Sequence, residues 1–143
     1  MNTTRAMICL GLLLVLPTAC RKKTGSATPA HPGGTIRADE VLTAWRDAGL
    51  APDKFTAMTP SPYGAAYCER GLVQGLDTIV CEFNSEETMK GGIALAKQEW
   101  SAFEVSTAMA VPNKKTALFV ADRNRREPSG KSMRQMAKLF AKL

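Results

Sequence analysis

Two segments carry apolar residues at the spacing of an amphipathic helix. In ADEVLTAWRDAGL, which begins at Ala38, one helical face holds Val41, Leu42, Trp45 and Ala48. Gly49 follows as a typical helix stop. In SEETMKGGIALAKQEW, which begins at Ser85, the apolar stripe consists of Met89, Ile93, Ala96 and Trp100. Ser85 suits the N-cap position, and Glu86 and Glu87 complement the positive end of the helix dipole, so the pattern predicts a helix in each segment.

The end of the chain, SGKSMRQMAKLFAKL, repeats this pattern. A helix here places four apolar residues inward: Met133, Met136, Ala137 and Phe140. The PSGKS at its start resembles the end of a phosphate loop, but that motif needs a glycine where this chain has Arg125. Ser129 as the N-cap of the third helix explains the segment instead.

The segment AAYCERGLVQGLDTIVCEF predicts a β-hairpin that turns at Gln74 and Gly75. In that register Cys68 faces Cys81 at a non-hydrogen-bonded position, where the side chains of two strands are closest, and this suits a disulfide. Leu72, Ile79 and Phe83 share the face of the bridge, so we expect it to point into the core. Arg70 is the misfit on this face, which a bulge or a sheet edge would explain.

Two further segments, AFEVSTAMAV and KTALFVAD, predict a second hairpin joined across Pro112 and Asn113. The proline-rich APDKFTAMTPSPYG is a loop with a short strand near Phe55 to Met58. The order α-ββ-α-ββ-α predicts a small α+β two-layer sandwich, with about four mostly antiparallel strands and the helices on one face. The hairpin signature C-E-R-G…G-L-D-T-I-V-C-E-F resembles small uncharacterised bacterial lipoproteins.

The N-terminus carries a pattern of its own. Arg5 precedes an apolar run from Ala6 to Leu16, which Pro17 ends. A membrane-spanning helix needs about 20 apolar residues, whereas the apolar part of a signal peptide needs roughly 7 to 15. The run therefore predicts a signal peptide and secretion.

The end of this run resembles the lipobox of bacterial lipoprotein precursors. Thr18, Ala19 and Cys20 match its two small residues and its acylated cysteine, whereas Pro17 stands where leucine is usual. The resemblance implies cleavage after Ala19 and fatty-acyl chains such as palmitate on Cys20. Cleavage by the ordinary signal peptidase is the alternative. Because Arg21 rather than aspartate follows the cysteine, the resemblance implies the outer membrane, facing the periplasm.

The chain then divides into a signal peptide (1–19), a lipidated cysteine with a flexible tether (20–36) and one α+β domain (37–143). Prolines and glycines such as Pro32 and Gly33 exclude regular helix from the tether. His31, the only histidine of the chain, lies in the tether, where we expect it to be solvated.

The cysteines support this division. Cys9 is lost with the signal peptide and Cys20 is lipidated, which leaves Cys68 and Cys81 to pair in an oxidising compartment. We expect the bridge to stabilise the fold by about 3 kcal/mol. A redox-active pair is the alternative, but the C-x-x-C spacing typical of one is missing.

Charge is uneven along the chain. Residues 37–111 hold six Lys and Arg against eleven Asp and Glu, whereas residues 112–143 hold nine against two. The candidate patch for an anionic partner consists of Lys114, Lys115, Arg123, Arg125, Arg126, Lys131 and Arg134. The alternative is a solvated basic helix face docked against the acidic remainder. Aromatic residues do not interleave with these cations, so no nucleic-acid partner is expected.

The domain lacks the residues that most catalytic and metal sites need. It has no histidine, and its cysteines and acids show no metal-ligand spacing, so we expect no catalytic residue, metal or cofactor. The leading hypothesis is a lipid-anchored, non-catalytic envelope protein: a binding or scaffold module whose partners are the membrane and an envelope protein. A basic-patch binder of anionic lipid or polyanion is one alternative. A small carboxylate-based envelope hydrolase, which requires two acids converging in a pocket, is the other.

Overall fold

The computed structural model describes residues 30–103, 105 and 107–143. The predicted signal peptide and Cys20 lie outside this range. The elements are α1 (Ala38–Asp47), β1 (Thr56–Ala57), β2 (Tyr67–Val73), β3 (Leu76–Glu82), α2 (Glu86–Ala102), β4 (Ala108–Asn113), β5 (Thr116–Ala121) and α3 (Lys131–Phe140). The α+β class is confirmed. The order is α-βββ-α-ββ-α, because the short strand anticipated in the proline-rich loop pairs with the sheet as β1.

The five strands form one antiparallel sheet in the order β1-β2-β3-β5-β4. The β2–β3 hairpin has the predicted register, with Cys68 opposite Cys81, and its turn residues Gln74 and Gly75 have φ of 53° and 80°. The Cys68 carbonyl accepts from the Met58 N–H on the β1 side, so the cysteine pair is non-hydrogen-bonded. The Sγ atoms are 2.05 Å apart and the Cα atoms 4.2 Å apart, so the predicted disulfide is confirmed.

Helices cover both faces of the sheet, so the prediction of a two-layer sandwich with the helices on one face is wrong. α1 and α3 pack on the face that holds Val80 and Leu118. α2 packs on the opposite face, against Cys81 and Phe119. The reason is β5, whose six residues are all buried and so present apolar side chains on both sides of the sheet.

One terminal signal was predicted for each helix, and the structure has it at α1 and α2 but not at α3. α1 ends in a Schellman motif, in which the Leu50 N–H donates to the Trp45 carbonyl at 2.9 Å and Leu50 is buried. Ser85 caps α2 as predicted, accepting from the Thr88 N–H at 3.1 Å. At α3, Glu127 replaces the predicted Ser129 cap, because its carboxylate accepts from the Ser132 N–H at 2.8 Å.

The second hairpin turns at Lys114 and Lys115 rather than at Pro112 and Asn113. The Asp122 N–H donates to the Thr107 carbonyl, so odd-numbered residues of β4 bond to β5 and Pro112 faces the free edge. A proline is tolerated there because no backbone N–H is needed. β4 starts at Ala108, later than predicted, because α2 continues to Ala102.

Residues 31–36, which were assigned to the tether, pack against the sheet. The Ile36 N–H donates to Thr116 Oγ1 at 2.7 Å, and Ile36 is buried. His31 Nδ1 lies 2.7 Å from Glu82 Oε1, and the Thr35 hydroxyl donates to Glu82 Oε2 at 2.6 Å. His31 is exposed, as expected, but its ring also contacts Glu82, whose side chain is 1% exposed, and a buried carboxylate requires such partners.

Candidate functional site

A cleft of about 430 Å³ opens on the α2 face of the sheet. α2 packs mainly on β4 and β5, which leaves the neighbouring surface of β2 and β3 open. The loop before β2 closes the other side with Met58, Pro62 and Tyr63. The cleft therefore combines residues from two hairpins, one helix and one loop.

The floor of the cleft is apolar and rigid. Ile79 and Phe119 are neighbours across β3 and β5, and both side chains pack on the α2 face. The Tyr63 ring lies 4.9 Å from that of Phe119, and the Trp100 ring lies 6.3 Å from it in an edge-on arrangement. Phe119 and Trp100 are 2% and 7% exposed, so these rings offer their accessible edges to an apolar ligand.

The rim of the cleft is charged. Arg123 Nε lies 3.8 Å from Asp77 Oδ2, and Arg123 Nη2 lies 3.5 Å from Glu99 Oε1. The side chains of Arg123, Asp77 and Glu99 are 44%, 30% and 38% exposed, so solvent screens these ion pairs. One guanidinium thus joins two acids that lie 22 positions apart in the sequence.

A second cation, Arg70, also lines the cleft. Its cross-strand neighbours are Thr56 on β1 and Ile79 on β3, neither of which carries a charge. Within the described part of the chain, no carboxylate lies within 4.0 Å of the Arg70 guanidinium. In the predicted hairpin, Arg70 was a charged residue at a position expected to face the core. The structure explains it, because this part of the sheet face is open.

Tyr63 adds a hydroxyl to the same site. Burial, followed by the charge of the nearby Glu99 carboxylate, raises the pKa of Tyr63 to about 12, and Arg123 partly opposes this shift. The hydroxyl therefore stays protonated at neutral pH. A hydrogen bond to Glu99 occupies its proton, so Tyr63 can accept a hydrogen bond from a ligand in the cleft through its oxygen.

The disulfide lies beside the cleft rather than in it. Cys68, Cys81 and Ala117 form the cross-strand row next to the row of Arg70, Ile79 and Phe119. Both cysteines are fully buried, in the apolar cluster that also holds Met89 and Ala96 of α2 and Ala65 of the loop before β2. The bridge therefore supports the floor.

The predicted basic patch forms an elongated band rather than one compact surface. Lys114 and Lys115 lie at the β4–β5 turn, whereas Arg125 and Arg126 follow the opposite end of β5. The exposed side chains of Lys131 and Arg134 lie on α3, which runs between these two ends. Arg123 is separate from this band because it pairs with Asp77 and Glu99. Binding of an anionic surface by the band stays a prediction.

Sequence reasoning missed Tyr63, Asp77 and Glu99, and it assigned Arg123 to a different surface. These residues lie on separate elements, and no spacing connects them. The one available signal was Arg70, a charged residue at an apolar position of an otherwise regular hairpin.

The geometry brings two carboxylates together at one cleft, which is the arrangement that a carboxylate hydrolase requires. The Arg123 guanidinium contacts both carboxylates, at 3.8 Å from Asp77 and 3.5 Å from Glu99. Among residues 30–143, apart from 104 and 106, no group of three or more metal-ligating side chains is found. The arrangement can therefore hold charged groups of a ligand.

Comparisons of the chain with models of protein families, with curated proteins and with solved structures find no match. In the described range, no helix is long and apolar enough to cross a membrane. The cleft and the N-terminal pattern are therefore the features that indicate a function.

Proposed function

We propose that the protein is a lipid-anchored binding module of the cell envelope and that its ligand occupies the cleft. The observation that carries the binding role is the charged rim of Arg70, Asp77, Glu99 and Arg123 above an aromatic floor. Apolar walls with a few converging polar groups are the usual construction of a small-molecule site.

The N-terminal pattern supports the location at the envelope. The apolar run and the Thr18-Ala19-Cys20 sequence favour a lipid on Cys20 at the outer membrane, facing the periplasm. The disulfide between Cys68 and Cys81 agrees with this location, because such bonds persist in oxidising compartments. Two or more acyl chains on Cys20 would hold the protein stably at the membrane.

The two tryptophans of the chain offer a direct test of binding. Trp100 lines the cleft, whereas Trp45 is a buried residue of α1 whose indole N–H donates to the Met136 carbonyl of α3 at 3.3 Å. The full chain with Cys20→Ala is labelled with 5-fluorotryptophan and titrated with peptide, glycan and lipid fractions of the cell envelope. The proposal predicts a saturable shift of the Trp100 ¹⁹F resonance while that of Trp45 stays in place. Equal shifts of the Trp100 and Trp45 resonances would contradict the proposal. The absence of any shift with all of the fractions would also contradict it.

A carboxylate hydrolase is the second candidate function, and the convergence of Asp77 and Glu99 favours it. In that case the purified chain turns over a chromogenic glycoside or ester, and Asp77→Asn or Glu99→Gln lowers turnover by at least about a hundredfold. The binding proposal predicts no turnover by the wild-type chain. Turnover that both substitutions leave unchanged would exclude these acids as the catalytic pair.

A further inference from the structure

The volume of the cleft admits many small ligands, whereas its charged side chains favour one class of ligand. We infer that the cleft binds an apolar zwitterion: an apolar amino acid or a short apolar peptide with free ends, whose ammonium lies at Asp77 and Glu99 and whose carboxylate lies at Arg70. This inference rests on the proposed function, since it concerns the ligand of the same cleft.

The inference starts from the charges of the rim. Arg123 carries one positive charge and contacts two carboxylates, at 3.8 Å and 3.5 Å, so this group of three side chains keeps one negative charge. That charge attracts one cationic group of a ligand. Arg70 supplies one positive charge at the other side of the cleft, and a guanidinium binds a carboxylate through two parallel hydrogen bonds when it can.

The spacing of the two charged sites suits a small ligand. Arg70 faces Ile79 across the hairpin, and Asp77 lies two residues before Ile79 on β3. The backbones of residues in this diagonal relation are about 7 to 8 Å apart, and their charged groups extend from the same face of the sheet. An extended dipeptide spans about 7 Å at most, since each residue adds about 3.3 to 3.6 Å. The two ends of one or two residues can therefore reach both sites.

The surface between the charged sites is apolar. Ile79 lies between Arg70 and Phe119 in the cross-strand row, and Met58 and Trp100 line the same cleft. The volume of about 430 Å³ lies in the range of sites for small ligands. Tyr63 also lines the cleft, and its hydroxyl oxygen can accept a hydrogen bond from a peptide N–H. A hydrophilic zwitterion would leave this apolar floor without a partner.

The test uses four forms of the dipeptide Leu-Phe: unmodified, N-acetylated, C-amidated, and blocked at both ends. Dissociation constants are measured from the Trp100 ¹⁹F resonance of the full chain with Cys20→Ala. The unmodified dipeptide is expected to bind most tightly. Each block is expected to weaken binding by about threefold to tenfold, because the ion pairs are partly exposed.

Two variants test which side chain binds each end of the dipeptide. In Arg70→Gln, amidation of the carboxyl end is expected to have no further effect on binding. In Glu99→Gln, acetylation of the amine is expected to have no further effect. Both side chains are substantially exposed, so the variants should fold. Arg46→Gln, which changes an exposed arginine on α1, is the matched control and is expected to bind all four forms as the wild type does.

The outcomes separate the two proposals. If the doubly blocked dipeptide binds as tightly as the unmodified one and still shifts Trp100 alone, the zwitterion inference is wrong while the cleft remains a binding site. If no form of the dipeptide shifts the Trp100 resonance, the zwitterion inference is also wrong. The titration with envelope fractions then tests the proposed function independently.

Discussion

Glu82 shows how a single buried charge determines the position of a whole segment. Its carboxylate is held by His31 and Thr35, which lie 51 and 47 positions earlier in the chain. Removing a carboxylate from water costs several kcal/mol unless hydrogen bonds or counter-charges replace the solvent. Residues 31–36 are therefore part of the folded domain. No periodic pattern indicates this contact, because it joins two single residues that are distant in sequence.

We predict that Thr35→Val lowers the free energy of unfolding by about 1 to 3 kcal/mol, since it leaves one oxygen of a buried carboxylate without its donor. Thr43→Val is the matched control, because Thr43 is exposed on α1 and its hydroxyl donates only to the Asp39 carbonyl within the helix. Its effect is expected to stay within about 0.5 kcal/mol. Urea unfolding of both variants measures the difference, and equal effects would contradict the role of Glu82.

The two tyrosines give a second prediction at this scale. Burial, followed by the nearby Glu99, raises the pKa of Tyr63 to about 12. Burial, followed by the hydrogen bond to Glu69, raises the pKa of Tyr67 to about 12 as well. Absorbance at 295 nm should therefore show tyrosinate in the folded protein only well above pH 10, whereas the unfolded chain titrates near pH 10.

The sign of the resulting pH dependence follows from these raised pKa values. Between about pH 10 and 12 the folded state retains tyrosine protons that the unfolded state has lost, so stability falls as the pH rises through this window. In Glu99→Gln the pKa of Tyr63 should move toward its ordinary value while that of Tyr67 stays raised. Ordinary midpoints for both tyrosines in the folded wild type would contradict this account.

At the scale of elements, the placement of α2 on its own face of the sheet creates the cleft. Two adjacent glycines in α2 make this placement testable. A Cβ at Gly92 would lie 2.7 Å from Phe83 Cε1 and 2.7 Å from the Tyr63 carbonyl oxygen, whereas a Cβ at Gly91 would have nothing within 4 Å.

We therefore predict opposite effects of the same substitution. Gly91→Ala should raise the free energy of unfolding by about 0.5 to 1 kcal/mol, because alanine is the better helix former. Gly92→Ala should lower it by about 1 to 3 kcal/mol, because the added methyl group meets backbone and an aromatic ring. Thermal unfolding monitored by circular dichroism distinguishes the two. If both variants are stabilised, α2 does not pack against Phe83 as described.

The disulfide gives a prediction for the β2–β3 hairpin. Cys68 and Cys81 are 13 positions apart, and a cross-link over a loop of this size stabilises a fold by about 3 kcal/mol. The double variant Cys68→Ala/Cys81→Ala should lose about this amount in urea unfolding. A loss below about 1 kcal/mol would show that the bridge contributes little to stability and would reopen a redox role.

The sequence predicts local features of this fold better than distant ones. The register of the β2–β3 hairpin was predicted because a two-residue turn determines it, and the end of α1 and the start of α2 were predicted from Gly49 and Ser85. The side of the sheet on which each helix packs depends on β5, whose uninterrupted apolar run was not recognised as a strand buried on both faces. Arg70, Asp77, Glu99 and Arg123 meet only through the sheet topology, so their site was not predictable from spacing.

At the scale of the whole molecule, the tether and the rim of the cleft lie toward opposite ends of the sheet. The chain enters the domain beside Glu82 and Thr116, where Gly34 lies close to Lys115. Asp77 and Arg123 lie at the other end of β3 and β5, about 17 to 20 Å along the strands. The point at which the chain enters the domain and the charged rim of the cleft therefore lie at opposite ends of β3 and β5.

The measurement that tests the account most directly is the mass of the mature N-terminal peptide from the membrane fraction, for the wild type and for Cys20→Ala. The account predicts a wild-type peptide that begins at Cys20 and carries acyl chains, and loss of both the acylation and the membrane retention in the variant. An unmodified N-terminus on wild-type protein found outside the membrane fraction would contradict the account, because the cleft would then belong to a protein that is not anchored.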